Sequence, residues 1–206
     1  MPLMLIVAIA ALIASPTQPP ILRPEPAIGA FASVNYAITF IAPVRTTYCP
    51  IPADWSGSDH GTVIFLEPPR FCRGVGYPSS SRGFEPDAPR IEVYYGLDLS
   101  QDDASPSTPP ACNRAGAIML LGRARALCRS PHRHRVVLWS RATYSTYGPA
   151  ELILTLVTTR RRLSADLGRF RRFAASVRTC RQVDRRLKGS ASTWGTGPRC
   201  PKGNWY

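Results

Sequence analysis

Lysine is almost missing from this chain. Lys188 and Lys202 are the only two, beside 24 arginines. That bias is what a GC-rich genome produces, so the excess of arginine says little by itself about binding. Chemistry-bearing motifs are missing too. The chain has no phosphate-binding G-x-x-x-x-G-K-[ST] loop, no G-x-G-x-x-G, no H-E-x-x-H, no zinc-finger spacing and no EF-hand loop. No nucleotide partner, no cofactor and no metal site are therefore expected, and the balance leans away from an enzyme. No apolar run reaches the roughly 20 residues that a membrane-spanning helix needs.

The longest apolar run, residues 3–14 (LMLIVAIAALIA), is followed at once by Ser15-Pro16-Thr17-Gln18-Pro19-Pro20. A helix of that length rises roughly 18 Å against a hydrocarbon core of roughly 30 Å. It suits the apolar core of a secretory signal peptide, and residues 1–15 are read as one. A retained N-terminal anchor is the competing reading, because no basic residue precedes the run and Pro16 crowds the cleavage point.

Six cysteines lie downstream: Cys49, Cys72, Cys112, Cys128, Cys180 and Cys200. An even number, widely spaced and without a C-x-x-C pair, fits disulfides in an oxidising compartment better than a metal or redox site. A periplasmic or secreted location follows. Six cysteines allow fifteen pairings and spacing does not choose among them. The working expectation joins sequence neighbours, Cys49–Cys72, Cys112–Cys128 and Cys180–Cys200.

Residues 16–30 are proline-rich and read as an extended lead-in, and residues 31–206 as a single globular domain ending in a Gly- and Ser-rich tail over 188–206. The linker-like stretch 100–110 does not divide it, since neither side has the strands to close a sheet alone. Strand patterns appear at 31–40, 61–67, 90–99, 117–128, 135–146 and 151–159. Residues 61–67 and 151–159 are apolar on both faces, so the last is expected to lie centrally. Within 117–128, Gly122 is read as a bulge. A helix is expected over residues 164–180, with Ser164 as N-cap, Asp166 in the first turn and a stripe of Leu163, Leu167, Phe170, Phe173, Ala174 and Val177. The expected class is α+β: a mostly antiparallel sheet of about six strands, one C-terminal amphipathic helix packed on a face, and disulfides as staples.

Charge is polarised along the chain. Residues 16–112 carry a net −4, residues 113–159 a net +6 and residues 160–206 a net +11. Neutralisation of the basic end by the acidic half is the simpler account. The sharper one is a basic face for anionic partners. Arg169, Arg171, Arg172 and Arg178 lie off the helix stripe and are the anion-binding candidates, with lipid headgroups, another polyanion or an envelope protein as partner and the chain itself a monomer. Packing of that helix on the sheet is preferred over its lying in a membrane interface.

Catalytic residue types crowd into one segment, Asp54, Ser58, Asp59 and His60. A carboxylate, a hydroxyl and an imidazole are the parts of a hydrolase, but a triad is built by folding, and Asp, Ser and Gly ahead of a strand are ordinary turn residues. His132 and His134 would share one side of a strand, as two metal ligands do, yet Arg133 and Arg135 flank them and a solvated loop is preferred. A non-enzymatic exported binding protein is thus the leading expectation, with a hydrolase or an inhibitor of an envelope enzyme behind it. Intact mass spectrometry of the exported protein should give a chain that begins after residue 15 and is lighter than the all-thiol form by one hydrogen for each of the six cysteines; a full-length product with free thiols would overturn the export reading.

Overall fold

The computed structural model describes residues 21–33, 36–49, 61–70, 72–73, 88–97, 112–132, 134–145, 149–180 and 200. The strands are β1 (Ile21–Leu22), β2 (Glu25–Pro26), β3 (Ala30–Ser33), β4 (Ile38–Ile41), β5 (Thr47–Tyr48), β6 (Gly61–Phe65), β7 (Cys72–Arg73), β8 (Arg90–Leu97), β9 (Asn113–Leu120), β10 (Arg123–Ser130), β11 (Val136–Ser145), β12 (Pro149–Thr158) and β13 (Arg178–Thr179), with one helix, α1 (Leu163–Ser176). Eight strands make an antiparallel sheet in the order β2-β5-β6-β8-β12-β11-β10-β9. Three more form a small sheet, β13-β4-β3, and β1 pairs with β7. The class is α+β and mostly antiparallel, but the expected sheet of about six strands is too small.

Five of the extra strands, β1, β2, β5, β7 and β13, are only two residues long and too short to show a period; the other two come from chain reversals hidden inside what reads as single strands. Residues 31–40 keep a period of two, yet the chain folds back at Tyr36 and Ala37, and Ala37 takes a positive φ of 52°. Phe31 and Phe40 thereby become direct partners across the β3–β4 pair, stacked at 5.6 Å. The same happens in residues 117–128. Gly122 is not a bulge: Leu121 and Gly122, at φ 51° and 74°, form a two-residue turn between β9 and β10. Two successive positive φ values suit the right-handed twist of the strands, and glycine takes one at no steric cost. The register does shift in this hairpin, at Leu127/Cys128.

β12 is central, as its two apolar faces require. Its Leu152, Leu154 and Leu156 are wholly buried on the inner face, with Ile91, Val93 and Tyr95 of β8 and Val136, Leu138 and Ala142 of β11 in the same core. α1 closes this face, packing on β9, β12 and β4. Phe170, Phe173 and Ala174 are buried and Phe173 meets Phe40 edge-on at 5.2 Å. Tyr36 lies 5.0 Å from Tyr95, so the small sheet covers the same face. On the outer face Val63 and Phe65 of β6 form a second small core with Cys49, Cys72 and Ala88.

The helix differs from expectation at both ends. Arg162, not Ser164, stands at the N-cap, and no side chain caps the first turn. Instead Asp166, almost fully buried, accepts bonds from Thr158 and from Arg162, and Arg162 also reaches Glu67. The helix stops at Ser176 rather than near Cys180, because Val177 turns extended (φ −66°, ψ 128°) and β13 then pairs with β4.

The three disulfides are Cys49–Cys72, Cys112–Cys128 and Cys180–Cys200, with Cα separations of 5.5, 4.9 and 4.7 Å. They join sequence neighbours, as expected, and bridges of this kind belong to an oxidising compartment. No helix among the described residues is long and apolar enough to cross a membrane.

Gly61 opens β6 at φ +151°, and a Cβ there would overlap the Val93 carbonyl oxygen of the neighbouring strand. Gly61→Ala is therefore expected to cost at least about 2 kcal/mol, read as a clear fall in the thermal midpoint; an unchanged midpoint would contradict this close approach.

Candidate anion-binding face

The acidic side chains decide which arginines remain available. Five acids are described, and each is already engaged. Glu25 accepts from the Tyr48 hydroxyl at 2.8 Å, Glu67 pairs with Arg162, and Glu92 with Arg90 at 2.7 Å. Glu151 lies 3.5 Å from Arg141, and Asp166 is held by Arg162 and Thr158. Only Arg162–Glu67 joins the basic end of the chain to its acidic half, so among the described residues the acidic half neutralises little of the basic end.

The four anion-binding candidates split two and two. Arg169 is not a free cation: its guanidinium donates to the carbonyls of Leu66 (3.0 Å), Val44 (2.9 Å) and Arg45 (3.2 Å) and fastens the helix to two loops. Partial burial, with Arg162 and Arg172 nearby, holds its pKa below the ordinary guanidinium value even though Asp166 opposes the shift. Arg162 is pushed the other way, chiefly by its hydrogen bonds to Asp166. Arg178 is exposed but folds back onto the carbonyls of Ala175 (2.6 Å) and Val177 (2.8 Å), as a cation at a helix C-terminus does. Arg171 and Arg172 are exposed, and neither has an acidic partner among the described residues.

A larger basic region is built by the ladder and was not visible as a motif. Antiparallel pairing sets Asn113 beside Arg129, Ser130 beside Val137, and Val136 beside Thr158. The start of β9, the end of β10, the start of β11 and the end of β12 therefore share one end of the large sheet. Arg114, Arg129, His132, His134, Arg135, Arg160 and Arg161 all belong to these strand ends and the connections that leave them. Residues 114 and 161 are far apart in sequence and reach the same end of the sheet only through the three successive antiparallel pairings of β9 to β12. At this end a pocket of about 520 Å³ is lined by Asn113, Arg129, Ser130, Pro131 and His132. His132 and His134 are both exposed, in the short connection between β10 and β11. No group of three His, Cys, Asp or Glu side chains that could hold a metal ion occurs among the described residues.

The same end also holds a buried ion pair. Arg90 and Glu92 lie two residues apart on the outer face of β8, both largely shielded from water, and Arg90 also donates to the Ala88 carbonyl at 3.2 Å. Burial pushes the Glu92 carboxyl above its usual value, opposed by Arg90 and, less, by Arg135. Thr155 and Trp139 continue this row across β12 and β11. The Trp139 indole N–H is buried with no hydrogen-bond partner.

No family model, curated protein or solved structure matches the chain. The site has to be judged on its own geometry. Asp54, Ser58, Asp59 and His60 lie outside the described residues. Among those described, buried Asp166 is held by Arg162 and Thr158 and largely shielded Glu92 by Arg90, and the strongest assembled feature is positive charge with few acidic partners.

The Glu92 shift has a definite sign. A carboxyl raised in the fold binds its proton more tightly there than in the unfolded chain. Its contribution to stability is full below the ordinary carboxylate range and is lost as pH rises through the raised value. Thermal melts of wild type and Glu92→Gln should therefore show the wild-type advantage shrinking from pH 4 upward; an advantage that grows with pH would mean that Arg90 outweighs burial.

Proposed function

We propose that the protein is an exported, non-enzymatic binding protein of the cell envelope or the secreted fraction, and that it engages an anionic surface through the basic end of its large sheet together with Arg171 and Arg172 of α1. The observation that carries this reading is that every described acid is already bound within the fold, while Arg114, Arg129, Arg160 and Arg161 from three strand ends and Arg171 and Arg172 of the helix stay exposed with no acidic partner among the described residues. Charge gathered in this way raises the local concentration of anions and attracts anionic lipid at roughly 1 kcal/mol per arginine near the surface. The disulfides and the short apolar leader support export, since a domain braced by sulfur bridges keeps them only where thiols are oxidised. The disulfides also make the surface rigid, so charges brought together by the ladder keep their spacing.

The reading replaces part of the helix face with the sheet end. Arg169 and Arg178 hold backbone carbonyls and contribute positioning rather than contact. Adsorption to vesicles rich in anionic lipid is expected at low salt, with little on neutral vesicles, and it should fall steeply as salt screens the charge. Reversing Arg160, Arg161, Arg171 and Arg172 to Glu should weaken it more than about tenfold. Equal, salt-insensitive retention on both vesicle types would end the proposal.

A further inference from the structure

We propose that the pocket between the start of β9 and the β10–β11 connection is a discrete binding site for a small organic phosphate. This goes beyond diffuse attraction, although it deepens the same anion-binding reading. The pocket's lining carries the donors that a tetrahedral oxyanion needs. Arg129 brings a planar fork that can hold two oxygens at once, and Asn113, Ser130 and His132 add amide, hydroxyl and imidazole donors. Among the described residues, no acidic side chain lines it. Pro131 adds an apolar wall beside these donors.

The backbone beneath the site is held firmly. Asn113 and Arg129 are direct partners in the β9–β10 ladder, and each follows one cysteine of the Cys112–Cys128 bridge. The donors from two strands thus have little freedom to separate, and the entropy lost on closing around a ligand is small. The register shift at Leu127/Cys128 falls immediately before this pair and alters which residues of β10 come to face Asn113.

The size of the pocket selects the ligand class. About 520 Å³ is far more than a bare phosphate ion would fill, and it lies within the range of roughly 300–1,000 Å³ typical of small-molecule sites. The expected occupant carries its phosphate against Arg129 and an organic portion toward Pro131.

The test is an amide-resolved NMR titration of the full exported protein, disulfides intact, with inorganic phosphate and with glycerol phosphate at constant ionic strength. Saturable amide shifts confined to Asn113, Arg129, Ser130 and His132 are expected, with glycerol phosphate the tighter ligand. Arg129→Ala should weaken binding at least about tenfold, as loss of a charged hydrogen-bond partner does, and His132→Ala less. Both side chains are exposed, so the fold should tolerate either change. Shifts spread over all arginines, or no saturation with either ligand, would overturn the site; tighter binding of inorganic phosphate would overturn the organic ligand. Vesicle adsorption by the double variant Arg171→Glu, Arg172→Glu separates this proposal from the preceding one. It should weaken while the phosphate titration stays unchanged, because neither arginine lines the pocket, and absence of adsorption in wild type would count against the surface reading alone.

Discussion

The inner face of the central strands must be kept from water. Leu152, Leu154 and Leu156 of β12 stand beside Ile91, Val93 and Tyr95 of β8, all at or near zero exposure. Burying each such side chain stabilises the fold by roughly 1.5–3 kcal/mol, and a flat sheet cannot cover its own face. The helix that follows β12 and the small β13-β4-β3 sheet supply that cover. Phe40, Phe170 and Phe173 are the side chains they press inward. Where the helix sits, where the chain reverses and which arginines are tied down all follow from closing this one face.

Fastening the cover uses charge. Arg162 bonds Asp166 and Glu67, and Arg169 holds three backbone carbonyls of two loops. Of these two residues, Arg169 reads in the sequence as part of an exposed cationic face. In the fold both work as ties, since a carbonyl or a carboxylate near a buried helix face would otherwise lose its water without gaining a partner. Positive charge is thereby divided between structure and surface. The division follows from position relative to the buried stripe, since Arg171 and Arg172 sit one and two residues beyond the buried Phe170 and remain outside.

Much of the architecture could be read directly from the residues. The continuous apolarity of 151–159 marks a strand buried on its inner face and half-covered on the other, and the Leu163–Val177 stripe marks the helix. The even, scattered cysteines mark bridges. Two reversals escaped because strand periodicity runs through them: Ala37 and Leu121 carry positive φ although neither residue type favours it. The tertiary pairing of Phe31 with Phe40, and of β9 with β10, holds those residues there. The N-cap escaped for a similar reason. Ser164 has the right chemistry, but Asp166 and Arg162 bind across to Thr158 and Glu67, contacts that depend on where β6 and β12 end.

The candidate site was legible only in sum. A basic second half is countable, but its spatial grouping is not, because residues 114, 129, 132 and 160 belong to no common helix face or strand alternation. The amino-acid sequence alone determined the local periods, the oxidising chemistry and the total charge, since each is a property of near neighbours or of composition. The tertiary structure decided which arginines are spent on carbonyls and acids and which share one end of the sheet. Register couples residues that are distant along the chain, and no local pattern encodes it.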